Sequence, residues 1–122
     1  KATFSMGDGM KAAAGEAVGC RPAMEKGVWQ ACESLRETTE WLVAQIDLNG
    51  RFAGAVPFLH AFARVLGGHY HLQAAQADKG GPREKLARFY IKRLLPEHAG
   101  LLIHARAGAA ELYDLSVDEL AA

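Results

Sequence analysis

Five histidines (His60, His69, His71, His98 and His104) are the residues of this chain best suited to hold a metal or a haem iron. Their spacing argues against it. His69 and His71 stand two apart, about 200° round a helix, and point nearly opposite ways. His60 and His71 share a face but lie roughly 16 Å apart along it, far beyond common ligation by Zn–N bonds of about 2 Å. His98 and His104 diverge by about 120°. Glu33, Glu37 and Glu40 raise a second metal chemistry, the di-iron bundle, which needs Glu-x-x-His elements that this chain lacks. Arg36 among them marks a solvated charge face, where a carboxylate has no cause for a raised pKa or a base role. Cys32 falls on an apolar stripe and reads as core. Ser5, Ser34 and Ser116 have no triad context. Gly67-Gly68 lacks the GxxxxGKS pattern of a phosphate loop and sits inside a helical stretch. No catalytic, cofactor-binding or metal-binding residue is assigned. Phe58, Phe62, Phe89 and Tyr90 remain as candidates to line an apolar pocket, with core packing the simpler reading.

The elements that would position these residues are helical. Phe52, Val56, Leu59, Ala63, Leu66 and Tyr70 recur at the alternating four-and-three spacing of one helix face. A second row, Phe58, Phe62, Val65, His69 and Leu72, runs beside it. One row suffices to dock a helix on a core, so two predict a helix that is central in a bundle or shared with another chain or domain. This helix is expected over about 51–77, bent at Pro57, with Gly67-Gly68 marking the close approach of a neighbour. Before it, Pro22 opens an amphipathic helix of about 23 residues whose stripe is Val28, Cys32, Leu35, Thr39, Leu42 and Ile46. Asp47-Leu-Asn-Gly50 is expected to close that helix through a left-handed residue. Asp78-Lys-Gly-Gly-Pro82 is a break, and a third long helix follows over 83–110 with a kink at Pro96. Ser116 and Glu119 have capping-box spacing and predict a last short helix. No segment alternates as a strand does. The expectation is all-α: an up-and-down bundle of three long helices, two of them proline-kinked, with short terminal helices. Residues 1–23 read as a linker or weakly helical segment, rich in glycine, and 24–122 as the helical domain.

At 122 residues the chain is long enough for one domain with a real core. Fourteen Lys and Arg balance fourteen Asp and Glu, so no global field steers nucleic acid or anionic membrane to it. The run Arg83, Lys85, Arg88, Lys92 and Arg93 is read as a solvated helix face rather than a nucleic-acid site. No apolar run approaches the roughly 20 residues of a membrane span. Two cysteines, Cys20 and Cys32, form no CxxC, which points away from a disulfide framework and towards the cytoplasm. A first residue of Lys1 rather than Met reads as part of a longer polypeptide.

With these helices in this order, the words Phe52-Ala-Gly-Ala-Val-Pro-Phe-Leu59, Gly67-Gly68 with Ala74-Ala75, Lys85-Leu-Ala-Arg-Phe-Tyr-Ile-Lys-Arg-Leu-Leu-Pro96 and Gly108-Ala-Ala-Glu-Leu-Tyr-Asp-Leu115 appear together. In these words the chain resembles the C-terminal helical domain appended to bacterial acyl-CoA dehydrogenases, over about Leu35 to Leu120. The resemblance implies a parent flavoprotein that oxidises an acyl-CoA thioester to the 2,3-enoyl-CoA, with a glutamate base removing the α-proton and FAD taking the β-hydride. It implies that this chemistry belongs to the dehydrogenase body, so this chain holds no cofactor while the parent holds FAD. The expected role is packing against that body or a second copy, in oligomerisation or in shaping acyl-CoA access. Phe58, Phe62, Val65 and Leu72 are the candidate interface residues. A fatty-acyl-binding bundle, with kinked helices round an apolar pocket, is the alternative.

Overall fold

The computed structural model describes residues 22–122, so the linker or weak helix expected before Pro22 lies outside the described residues. Seven helical elements follow: α1 (Pro22–Ala44), α2 (Leu48–Ala53), α3 (Ala55–Ala77), α4 (Pro82–Arg93), α5 (Glu97–Ala105), a 3-10 turn (Ala110–Tyr113) and α6 (Val117–Ala121). No strand occurs among them. Helix α3 is the central element and packs on α1, α4 and α5. None of the described helices is long and apolar enough to cross a membrane.

Helix α1 starts at Pro22, whose fixed φ and missing N–H suit a first helical position. It therefore already includes the last two residues of the span read as linker. Its inward face is Met24, Val28, Ala31, Cys32, Leu35 and Thr38. The expected stripe holds as far as Leu35 and then leaves the core, because a row repeated every 3.5 residues drifts round a straight helix. Thr38 is buried where Thr39 was expected, and Ile46 is 95% exposed beyond the helix end. Arg36 pairs with Glu33 at 2.6 Å and Glu40 at 2.7 Å on the outer side.

The corner after α1 differs from expectation. Asp47 does not help close α1; its carboxylate caps α2, accepting from the N–H groups of Asn49 (3.2 Å) and Gly50 (3.3 Å). The end of α1 is held from the other side, by the Arg51 guanidinium donating to the carbonyls of Gln45 (2.5 Å) and Val43 (3.0 Å). Gly50 needs no left-handed conformation, being a buried residue of α2.

Both proline segments are divided rather than bent. The break in the first falls at Gly54, so Pro57 sits in the opening turn of α3, where its missing N–H leaves no helical bond unmade. A Cβ on Gly54 would collide with the Ala105 carbonyl oxygen, so this glycine is where α5 ends against α3. In the second, Leu94 to Pro96 form a turn and Pro96 becomes the cap of α5. The break between α3 and α4 falls where expected. Gly80 takes a φ of 77°, Pro82 opens α4, and Glu84 accepts from the Gly80 N–H at 2.5 Å and from Arg88 at 3.0 Å. The capping box forms as read: Glu119 N–H donates to Ser116 Oγ, and Ser116 N–H donates to the Glu119 carboxylate.

Candidate functional site: an apolar face opposite the core

The structure uses its chemistry-bearing side chains separately. His60 and His104 are exposed, on different helices. The His71 ring stacks on Tyr90, centroids 4.5 Å apart and planes at 30°. His98 Nδ1 lies 2.6 Å from the Leu95 carbonyl. His69 is half-buried beside Tyr70, and burial lowers its pKa below the ordinary histidine value. Its Nδ1 has no hydrogen-bond partner among the described residues. No three His, Cys, Asp or Glu side chains gather among the described residues in a way that could hold a metal ion. Cys32 is buried on the inner face of α1.

The aromatic residues do not converge on one chamber either. Phe58 and Phe62 lie 6.5 Å apart on one flank of α3, half-buried against the core. Tyr90 serves a different seam. Its hydroxyl donates to the Arg64 carbonyl at 2.8 Å, and a Cβ on Gly67 would collide with that hydroxyl. The glycine pair is thus a site of close helix approach, as its sequence predicts, and burial of the phenol raises the Tyr90 pKa. Phe89 points outward from α4.

What the helices leave between them are surface grooves. One of ≈ 580 Å³, between α1 and the α4–α5 corner, is lined by Trp29, Glu33, Glu37, Ile91, Leu95 and His98 among others. A second of ≈ 470 Å³ is lined by His60, Arg64, Tyr90, Glu97 and Leu101. Glu33 and Glu37 give the first groove two carboxylates, and in the second Arg64 is paired with Glu97 at 2.7 Å.

The surplus apolar surface lies on α3, on the row opposite the one chosen from the sequence. Val65 (0% exposed) and Leu72 (1%) are core residues that dock α3 within its own domain, with Phe58 and Phe62 half-buried at their edge. They do not form a free face. Ala61, Val65, Gly68, Leu72 and Ala75 are buried, and the residues nine positions away from the first three are Tyr70, Val56 and Leu59, about 180° round the helix. Those are the exposed ones: Val56 at 61%, Leu59 at 62% and Tyr70 at 58%, with Phe52 (69%) extending the stripe onto α2. Val43, Ile46 and Leu48 add exposed apolar surface at the corner before α2. The signal that separates the rows is in the sequence: Ala61, Gly68 and Ala75 recur every seven residues, and small residues mark the side where another helix comes closest.

The acetyl-CoA dehydrogenase C-terminal like family matches residues 7–116, beginning well before the earliest of the four motif words. No curated protein and no solved structure matches the chain. The agreement of that match with the all-α bundle and with the motif-bearing helices α3 and α4 is decisive: the chain belongs to the acetyl-CoA dehydrogenase C-terminal like family.

Proposed function

We propose that this chain is the non-catalytic helical domain of an FAD-dependent, cytoplasmic acyl-CoA dehydrogenase, and that it works by packing its α2–α3 apolar stripe against the dehydrogenase body. The body oxidises the acyl-CoA to the 2,3-enoyl-CoA with its own base and flavin; this chain's residues bury the joint, steady the assembly and shape access to the acyl-CoA site. The observation that carries the reading is the stripe Phe52, Val56, Leu59 and Tyr70, which lies opposite a core already complete without it. Contiguous exposed apolar surface on a folded domain marks an interaction site. Family membership supports the choice of a dehydrogenase body as what covers it.

The test is Val56→Asp with Leu59→Asp in the intact polypeptide and, in parallel, in the 122-residue chain. The chain variant should keep its helical circular dichroism and melting temperature, because neither side chain packs internally. The intact variant should lose native mass or acyl-CoA oxidation. Unchanged assembly and unchanged activity would overturn the proposal.

A further inference from the structure

The chain is neutral overall, but its charge is divided between two exposed segments. Helix α4 carries Arg83, Lys85, Arg88, Lys92 and Arg93 against the single acid Glu84, which is buried and occupied by Arg88. Leu86 (54% exposed) and Phe89 (57%) lie among these cations on the side turned away from α3. The segment 110–122, the 3-10 turn and α6, carries Glu111, Asp114, Asp118 and Glu119 with no Lys or Arg. Its apolar residues Leu112, Tyr113, Leu115, Val117 and Leu120 are all exposed, Val117 at 81%. One surface is basic and apolar, the other acidic and apolar. No described residue covers either.

They cannot cover each other within it as it is folded. The acidic arm leaves the bundle after the buried Ala109; just before it Arg106 donates to Thr38 at 3.2 Å and the Ala105 carbonyl abuts Gly54 at the start of α3. Helix α4 packs through Tyr90 against Gly67, thirteen residues and about 20 Å further along α3. Helix α5 fills the stretch between.

We infer that the acidic arm of one chain docks on the outer face of α4 in a second copy, with Leu112, Leu115 and Leu120 over Leu86 and Phe89 and the carboxylates among Lys85, Lys92 and Arg93. Apolar contact and charge complementarity together supply the affinity, and the charges also set orientation and speed encounter. The surfaces are different patches of one molecule, so two arms exchanged reciprocally close a two-fold dimer.

The experiment is light scattering on the 122-residue chain over a wide concentration range, at low ionic strength and near 1 M salt, where screening shortens the Debye length to about 3 Å. The mass should rise towards two chains with concentration at low salt and fall back at high salt. Lys85→Glu/Lys92→Glu/Arg93→Glu and Glu111→Lys/Asp114→Lys/Asp118→Lys should each weaken self-association at least about tenfold, because like charges then face each other. Helical circular dichroism checks that each variant is folded. Mixing the two variants should restore association, since each then offers the surface the other needs. A wild-type chain that stays a monomer throughout overturns the inference. So does association that survives deletion of 110–122, which would move the contact to the α3 stripe, or a mixture of folded variants that fails to associate.

Discussion

Val65 and Leu59 are both large aliphatic residues on α3, and the structure gives them opposite duties. Val65 is fully buried in the core cluster, whereas Leu59 is 62% exposed and lies outside it. Leu72→Ala should therefore cost about 2–5 kcal/mol in urea unfolding, the loss of transfer energy plus an unfilled cavity. Leu59→Ala should fall within about 0.5 kcal/mol of wild type, as surface changes do. Phe62→Asp belongs with the first group and should lower the melting temperature rather than only disrupt association, because its ring packs on the core. His69 adds a pH dependence. Burial lowers its folded pKa, so the unfolded state binds more protons and stability rises with pH. The contribution is full above the ordinary histidine value and is lost as pH falls through the lowered one. Denaturant titrations from neutral to mildly acidic pH should show this decline in the wild type and a shallower one in His69→Leu.

Between elements, the closest joints are made by glycine. Gly67 leaves room for the Tyr90 hydroxyl, and that hydroxyl ties α4 to the Arg64 carbonyl of α3. Gly67→Ala should displace the ring, break this bond and destabilise by about 0.5–1.5 kcal/mol, the net worth of one part-buried hydrogen bond. Tyr90→Phe removes the colliding oxygen, so the double variant should lose less than the sum of the two single ones in a thermal double-mutant cycle. Gly54 works differently because its obstacle is the Ala105 backbone, which no side-chain substitution can move aside.

At the scale of the whole fold, the described residues leave three exposed surfaces: the α2–α3 stripe, the basic outer side of α4 and the acidic arm. The grooves between helices carry charged groups among their lining residues, Glu33 and Glu37 in one and Arg64 and Glu97 in the other. Long-chain acyl-CoA should accordingly raise the melting temperature no more than free CoA does. A shift specific to the acyl chain would favour the pocket reading over the packing one. The domain's function is thus proposed to lie in what its outer faces meet.

The sequence by itself determined the helices, their order and several of their ends. Proline, paired glycines and the Ser116–Glu119 box act through local geometry, which needs no knowledge of the rest of the chain. It also determined that α3 carries more apolar surface than one core requires. Large-residue periodicity left both rows equal, and only the small-residue series Ala61, Gly68 and Ala75 marks the inner side; which helices fill that side, and so bury Val65 and Leu72, was decided by where α1, α4 and α5 come to rest. The same holds for the breaks at Gly54 and Leu94–Pro96. A proline announces that a helix must change course, but whether it bends or divides is settled by the packing of the next helix against the gap.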